Sequence, residues 1–482
     1  MAQTSTTATK RGYLGFGSFF SDNVEELIAQ PDEAYVPPPL PFAVDDLFAD
    51  VEQSTPLALG AAARPHFLVD FTRWTFLNHG AFGATARLPF EAAQRWRLHC
   101  ESQPLVHFDR ELFPHSVHAI RQMARVLRAA PTDVVLAANA TTALNAVIFS
   151  TPLAPGEAVF SLSICYGSVK TMLRLRAAQT GAQFVDAEVR FPLARGGDDV
   201  VDLVARTLPA NAKLAVFDTV TSNTAVVLPI AQLARACLAR CPNIRILVDG
   251  AHSLGAPLPL DVPALGVHFF VSNCHKHLCS PRGVAVLWAH PSHRGALRPL
   301  VVSHGTGAGF TSDFIWHGCA DYAPVLSTTL TLRWWRAVGE ARAHEYMRGT
   351  LAAGVSALLA RWQTHTLVPL EMCSNMALVR LPSDEPPPGG DDVPHATGGG
   401  PASRADVNEL LQRQPPAADG GATSADAKEW QDWLHFAAAV EVPVKCIQGH
   451  LYVRISAHIY NEPRDYEILA RAVAAALRWT DA

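Results

Sequence analysis

The sequence predicts an α/β protein with two parts: a large domain with a mostly parallel sheet flanked by helices, and a smaller α+β domain. Two observations lead to this prediction. From about residue 111 to 300, short apolar runs alternate with segments of helical period, which is typical of strands connected by covering helices. After Tyr322, a long helical stretch precedes two strand-like runs and a final helix.

Composition excludes several classes of protein. The 482 residues are 49% hydrophobic and carry a formal charge of -5, from 39 Lys and Arg against 44 Asp and Glu. Neither sign of charge dominates a long stretch, so we expect no nucleic-acid interface and no basic membrane patch. No segment reaches the roughly 18 consecutive apolar residues that span a bilayer. A small molecule is therefore the expected partner.

Residues 1–70 are predicted to be an N-terminal extension with at most short helices, because they contain VPPPLPF and several Ala, Gly and Pro breaks. The Ser- and Thr-rich start faintly resembles an organelle transit peptide, but acidic residues follow soon after it. The 9 cysteines form no CxxC pair, which favours a reducing compartment. We expect a cytoplasmic protein, with organelle targeting as the alternative.

Residues 111–325 are predicted to form the large domain, and residues 71–110 to join the small one. The predicted strands are almost continuously apolar, as in a parallel sheet that is covered on both faces. In chain order, the predicted strands and helices are VVLAA, TTALNAVIFS, AVFSLS, SVKTMLRLRAA, LAVFDTV, IAQLARACLAR, IRILVDG and HFFVSN.

Residues 326–482 are predicted to form the small domain. Its elements are one long helical stretch (TLRWWRAVGEARAHEYMRGTLAAGVSALLARW), two strands (MALVRLP and LYVRIS) and a final helix (DYEILARAVAAALRW). From about 383 to 427 the chain is too rich in Pro, Gly and small polar residues to bury a core. We predict a disordered insertion there.

Lysine is scarce, with six in the whole chain, so the setting of each one is informative. Lys276 lies in VSNCHKHLCSPRG, directly after the apolar run HFFVSN. Desolvation at a strand end lowers the pKa of a lysine and leaves a nucleophilic amine, which suits a Schiff base with a carbonyl cofactor. The alternative is a surface lysine beside a loop.

Two further positions favour a cofactor. Asp249 ends the run IRILVDG at the carboxyl edge of the predicted sheet, where its carboxylate is placed to keep a pyridine nitrogen protonated; the alternative is a helix N-cap. Thr141 and Thr142 begin the helix after VVLAA, where free N–H groups and hydroxyls suit a phosphate; ordinary capping is the alternative.

Taken together, VDGAHSLG and SNCHKHL resemble the pyridoxal-phosphate site of the class V aminotransferase family, which has fold type I. Further segments that resemble the family occur in its order: FLNHGAFG, NATTALNAV, YGSVK, TSNTAVVLPI, SHGTGAGF, WHGCADYAP and YVRISAHIYN. The resemblance covers residues from about 70 to 482 apart from the insertion. The isopenicillin N epimerase-like and L-cysteine desulfhydrase-like branches are the most similar.

This resemblance implies pyridoxal 5'-phosphate as the cofactor. Lys276 is expected to bind it covalently and to act as the acid and base at the substrate Cα, and Asp249 to pair with the ring nitrogen. His252 and Asn223 are expected at the phenolic oxygen, and Tyr166 on the ring face. The expected phosphate ligands are Thr141, Thr142, Asn273 and His275.

On the substrate side, the resemblance implies that Arg454 binds the carboxylate through a bidentate hydrogen bond that lysine does not reproduce. Asn78 and His79 are expected to contact the substrate as well. No metal is expected, because no HExxH or equivalent spacing accompanies the histidines.

The family is also expected to form homodimers with active sites at the subunit boundary. This chain departs from the family pattern in two places. His277 stands where Trp is common, and Gly318-Cys319-Ala320 replaces a Gly-Thr-Arg run. The Thr of that run is thought to contact the phosphate of the neighbouring subunit, so Cys319 puts that one contact in doubt.

The predicted reaction is C–S lysis of cysteine or of a cysteine-derived thioether or sulfoxide. Amino-acid epimerisation and transamination are alternatives, as is a non-catalytic binding protein with this fold. Epimerisation needs a second proton donor, for which His79 is the candidate. A desulfurase needs a mobile loop cysteine, whereas Cys446 is predicted to lie at the approach to a strand.

Overall fold

The computed structural model describes residues 23–53, 57–385 and 421–477. Its strands are β1 Thr75–Phe76, β2 Val134–Ala137, β3 Ala158–Leu162, β4 Gln183–Ala187, β5 Ala212–Asp218, β6 Arg245–Asp249, β7 Phe269–Asn273, β8 Ala285–Ala289, β9 Met376–Arg380, β10 Val440–Glu441, β11 Val444–Ile447 and β12 His450–Ser456.

The α-helices are α1 Val24–Ala29, α2 Asp45–Gln53, α3 His79–Phe82, α4 Arg87–Ser102, α5 Pro104–Val106, α6 Leu112–Leu127, α7 Ala140–Ser150, α8 Gly167–Thr180, α9 Gly197–Thr207, α10 Ile230–Arg240, α11 Phe310–Ile315, α12 Ala323–Leu326, α13 Thr328–Val338, α14 Glu340–Trp362, α15 Ser424–Phe436 and α16 Pro463–Ala476. None of these described helices combines the length and the apolar character needed to cross a bilayer.

The central sheet has seven strands in the order β2-β8-β7-β6-β5-β3-β4. The strands from β3 to β7 run parallel, and β8 is antiparallel to both of its neighbours. Strands β3, β7 and β8 are buried along their whole length, as expected for a sheet covered on both faces. The predicted fold, a mostly parallel sheet flanked by helices, is confirmed. The sequence patterns missed β4 and β8.

The parallel strands bring polar side chains to one edge of this sheet. Asp218, Asp249 and Asn273 are the last residues of β5, β6 and β7. Because these strands are neighbours and parallel, their carboxyl ends meet at the same edge. The loops that follow them carry the predicted cofactor residues.

A second, antiparallel sheet lies in the C-terminal part, with the strand order β11-β12-β9, and α14 packs against α16 beside it. The predicted long helix is divided into α13 and α14 at Gly339, whose φ of +83° ends the first helix. Strand β1 pairs in parallel with β10, so residues 75–76 are attached to this C-terminal unit. The domain boundaries at 70, 110 and 325 stay predictions.

The N-terminal extension and the insertion are described in part. In the extension, α1 packs against α6, where the buried Arg121 donates hydrogen bonds to the Ile28 and Gln30 carbonyls. Residues 386–420 of the predicted insertion lie outside the described residues. The insertion does not extend to 427, because α15 begins at Ser424 with a capping box between Thr423 and Asp426. The T-x-x-D spacing in TSAD is the signal for this helix start.

Candidate active site

The candidate nucleophile Lys276 lies on the turn that follows β7. Its Nζ is 3.2 Å from His252 Nε2. Burial lowers the pKa of the Lys276 amine to about 8, although the nearby carboxylates of Asp249 and Asp218 favour its charged form. At a pKa of about 8, roughly a tenth of the amine is unprotonated at pH 7, several hundred times more than for an ordinary lysine, so it is available as a nucleophile.

Two glycines press against the backbone of this turn. Gly83 has a φ of +71°, and a Cβ there would lie 1.9 Å from the His275 carbonyl oxygen. Gly255 has a φ of +75°, and its Cβ would lie 2.4 Å from the His277 carbonyl oxygen. Glycine is required at both positions, because a side chain would displace the turn that carries Lys276.

Two carboxylates lie side by side near the amine. Asp218 and Asp249 are register partners on β5 and β6, and they are only 3% and 4% exposed. Burial raises the pKa of both carboxyls, and repulsion from Asp249 raises that of Asp218 further. Lys276 is a cation that opposes both shifts. A cationic ring nitrogen beside Asp249 would relieve the remaining repulsion.

The N-terminus of α7 forms the opposite end of the site. Asn273 accepts a hydrogen bond from the Ala140 N–H at 2.9 Å, and Asn139 accepts one from the Thr142 N–H at 2.9 Å. Thr141 lies between these capped amides and is exposed. The positive end of the helix dipole and the threonine hydroxyl thus face open space, which suits an anion.

Two side chains of the site are placed to contact a ligand: His275 through a ring nitrogen and Tyr166 through the face of its ring. The Nδ1 atom of His275 is buried without a hydrogen-bond partner among the described residues, and burial lowers the pKa of its ring to about 4. Tyr166 lines the same pocket as His275 and is 43% exposed. A bound group with an acceptor near His275 and a flat face against Tyr166 would satisfy both.

A cavity of about 220 Å³ connects these groups. Most of the predicted cofactor residues line it. They are Thr141, Tyr166, Asp249, His252, Asn273, His275 and Lys276.

Arg454, on β12, reaches the site from the C-terminal unit. It is 4% exposed, and it donates hydrogen bonds to the Ser222 carbonyl oxygen and, at 3.2 Å, to Asn78 Oδ1. Burial lowers its pKa to about 10. Within residues 23–53, 57–385 and 421–477, no carboxylate pairs with it. A buried guanidinium without a counter-charge is costly, so this position suits a ligand carboxylate.

Three predicted residues are placed differently from the expectation. Thr142 does not line the cavity, and its hydroxyl donates to Asn139 Oδ1 at 3.1 Å. Asn223 is exposed and does not line the cavity, whereas its neighbour Ser222 does. His79 is fully buried beneath the lysine turn rather than facing a substrate: its Nδ1 is 2.8 Å from the Tyr460 hydroxyl, and its Nε2 is 3.0 Å from the Lys276 carbonyl oxygen. Packing of α3 against the turn causes this burial, which sequence periodicity does not reveal.

His79, Cys279 and His458 lie close enough to hold a metal ion, with ligand atoms within 4.8 Å of one another. However, the rings of His79 and His458 are stacked at 3.9 Å and nearly parallel, and their Nε2 atoms face the carbonyl oxygens of Lys276 and His277. Parallel rings do not converge on one ion, so we interpret this cluster as a support for the lysine turn.

Sequence reasoning missed Asp218, Asn139 and Ser222. Asp218 ends an apolar strand just as Asp249 does, so the same signal was available in LAVFDTV. Asn139 occupies the N-cap position before a helix, where Asn is favoured. Ser222 acts through its backbone carbonyl, for which the sequence carries no signal.

Comparison with known proteins agrees with this geometry. Residues 104–383 match the family description "Aminotransferase class-V". A probable L-cysteine desulfhydrase of Arabidopsis thaliana, described as chloroplastic, is 28% identical over 446 residues, which are 86% of this chain and 84% of that protein. The isopenicillin N epimerase of Streptomyces clavuligerus is 31% identical over 245 residues, 50% of this chain and 59% of the epimerase.

Among solved structures, the complex of the cystine C–S lyase C-DES with its product cysteine persulfide has a TM-score of 0.65. Its identity to this chain is 18%, and the superposition covers 83% of this chain and 97% of the lyase. This similarity confirms fold type I. The span that matches the family description includes both Lys276 and Asp249 and exceeds half of the chain, so this chain belongs to the class V aminotransferase family.

Proposed function

We propose that this protein is a pyridoxal-phosphate-dependent C–S lyase that acts on L-cysteine or on a cysteine-derived thioether or sulfoxide. The observation that carries the proposal is that the Lys276 amine lines one cavity together with the buried Asp249 carboxylate and the N-terminus of α7. The desulfhydrase relatives and the C–S lyase with the same fold support this choice of reaction.

The residues present fit the cofactor. Its phosphate suits the α7 N-terminus and the unpartnered Nδ1 of His275, and its ring suits the exposed face of Tyr166. Its ring nitrogen, when protonated, would supply a positive charge next to the buried carboxylates of Asp218 and Asp249. When bound, pyridoxal phosphate supplies an electron sink for reactions at the substrate Cα.

The chain's own groups perform the remaining tasks. Arg454 binds the substrate carboxylate and so orients the amino acid. Lys276 accepts the proton from Cα, because its amine is close to deprotonation at neutral pH. Asp249 keeps the ring nitrogen protonated. β-Elimination needs one base and a leaving group on Cβ, and Lys276 is that base.

Two placements favour lysis over epimerisation and over a persulfide-forming desulfurase. His79, the candidate second proton donor for an epimerase, has both ring nitrogens engaged away from the cavity. Cys446, the candidate persulfide carrier for a desulfurase, lies within β11, and its thiol is 3.0 Å from the Ala422 carbonyl oxygen. Arg454, which faces the site, lies on the opposite face of the β11–β12 pair from Cys446, so the thiol points away from the site.

The test is to incubate the protein loaded with pyridoxal phosphate with L-cysteine, S-alkylcysteines and their sulfoxides, and to measure pyruvate, the sulfur product, keto acid and racemisation separately. We expect pyruvate and the sulfur product in equal amounts. We expect Lys276→Ala to lose turnover and the borohydride-reducible link to the cofactor. Solvent deuterium at Cα of both enantiomers without pyruvate would show an epimerase instead.

We further propose that the protein is a homodimer of the cytoplasm or of an organelle. Support for the dimer comes from SHGTGAGF and WHGCADYAP, which resemble family segments that reach the partner's cofactor. Cys319, within the second segment, is exposed, as expected for a residue near a subunit boundary.

A further inference from the structure

A line of polar side chains runs from Lys276 into the interior of the protein. Lys276 Nζ is 3.2 Å from His252 Nε2, and His252 Nδ1 is 3.4 Å from His277 Nε2. On its far side, His277 Nδ1 is 3.0 Å from Asn375 Nδ2. His277 and Asn375 are fully buried, and His252, at 3% exposed, lines the cavity beside Lys276.

The inner end of this line has a defined direction. The Asn375 amide nitrogen carries two hydrogens, and it donates one of them to the Ala457 carbonyl oxygen at 3.1 Å. A carbonyl oxygen is only an acceptor, so this contact fixes which side of the amide carries the nitrogen. The second hydrogen points to His277 Nδ1. His277 Nδ1 must therefore be unprotonated.

The remaining tautomers follow from this one. Burial lowers the pKa of His277 and of His252 well below the ordinary value, so both rings are neutral and carry one proton each. With Nδ1 unprotonated, His277 carries its proton on Nε2 and donates it to His252 Nδ1. His252 then carries its own proton on Nε2, which faces the amine of Lys276.

We propose that Asn375 and His277 are positioning residues that orient the His252 Nε2–H as a donor toward Lys276, so that the free-amine form of the lysine is favoured over its ammonium form. An ammonium group has no lone pair to accept this hydrogen bond. The chain of donors therefore favours the unprotonated lysine in addition to the effect of burial. Reversal of the chain would need a hydrogen-bond acceptor at position 375.

Other charged groups also face Lys276. Asp249 on β6 and Asp218 on β5 favour its ammonium form, whereas Arg454 on β12 disfavours it. His277 is faced by His79 and by the same arginine. The hydrogen bonds that start at Asn375 oppose the effect of the two carboxylates on the pKa of Lys276. The two effects are separable, because only the hydrogen-bond effect passes through the imidazole of His277.

The consequence for function is a larger fraction of free amine at neutral pH, which is the form that attacks a carbonyl carbon. His277 stands where Trp is common in the family, and an indole ring does not provide this relay. Only the attack of the Lys276 amine on a carbonyl carbon rests on the proposed function. The direction of the hydrogen bonds is a property of the chain without a ligand.

The test measures the pKa of Lys276 in the full-length chain freed of cofactor. Acetylation of Lys276 by trace acetic anhydride is followed against pH by mass spectrometry, and Lys213, which pairs with Glu157 on the surface, is the internal reference. The variants are Asn375→Asp, His277→Phe and the double variant. Ser374→Ala, which removes a contact to the oxygen of the Asn375 amide, is the matched control.

We expect a midpoint near pH 8 for the unchanged chain and for Ser374→Ala. In Asn375→Asp, the new carboxylate accepts the His277 Nδ1–H, so the direction of the hydrogen bonds from residue 375 to Lys276 reverses. The midpoint then rises by about one pH unit, which corresponds to about 1.4 kcal/mol. His277→Phe removes the donor to His252 and also raises the midpoint. In the double variant, the carboxylate introduced at position 375 has no relay, so the midpoint equals that of His277→Phe.

An unchanged midpoint in His277→Phe would overturn the proposal, and this variant decides the matter even if Asn375→Asp fails to fold. A shift from Asn375→Asp that persists in the His277→Phe background would also overturn it, because the added charge would then act through space. A wrong reaction product with these midpoints as expected would refute the proposed C–S lyase and leave the relay intact.

Discussion

Replacement of Arg454 by lysine tests how the site recognises an amino acid. The guanidinium is buried on β12, is held by the Ser222 carbonyl and by Asn78, and has no carboxylate partner among the described residues. A lysine keeps the positive charge but loses the planar pair of donors that binds a carboxylate at two oxygens. The substrate therefore keeps an ion pair and loses one charge-assisted hydrogen bond.

The magnitude follows from that single hydrogen bond. A hydrogen bond to a charged group contributes about 1.5–3 kcal/mol, which is roughly a 10- to 150-fold change in an equilibrium constant. Because the carboxylate is bound in the ground state and in the transition state alike, we expect KM to rise by this factor while kcat changes little. The assay is pyruvate release from L-cysteine over a range of concentrations.

The matched control is Arg380→Lys. Arg380 lies on the neighbouring strand β9 opposite Tyr452, two residues from Arg454, but it already has a carboxylate partner in Asp384 at 2.7 Å. We expect less than about a twofold change in KM there, because a partly exposed ion pair contributes little. An unchanged KM in Arg454→Lys, or an equal rise in both variants, would refute the assignment of Arg454 to the substrate carboxylate.

Four further predictions concern the amine, the C-terminal unit and the assembly. Because burial lowers the pKa of Lys276 to about 8, the rate at which the cofactor-free chain takes up pyridoxal phosphate should rise with pH and level off above about pH 8; a rate that keeps rising to pH 10 in stopped-flow absorbance would contradict this. Thr423→Ala removes the capping box of α15 and should lower the free energy of unfolding by about 1 kcal/mol in urea titrations, whereas replacement of residues 386–420 by a short Gly-Ser linker should leave both stability and activity nearly unchanged. Sedimentation of the loaded protein should show a homodimer, and a fully active monomer would contradict active sites at a subunit boundary.

The sequence by itself determined the parts of the site that are local in the chain. Apolar runs of five to seven residues indicated β3, β5, β6 and β7 without any tertiary information, because strands covered on both faces must be apolar throughout. The positions of Lys276 and Asp249 after such runs indicated a nucleophilic amine and a carboxylate at one edge of the sheet. The order of the family-like segments indicated the cofactor.

Only the tertiary structure decided which distant groups meet at that edge. Asp218 becomes the neighbour of Asp249 because β5 and β6 pair in a particular register, and Arg454 reaches the site because β12 packs against it from another part of the chain. Burial, which no single-sequence pattern measures, removed His79 from the substrate side. The same burial made the imidazoles of His252 and His277 neutral, so that an amide hydrogen of Asn375 determines which way their hydrogen bonds point.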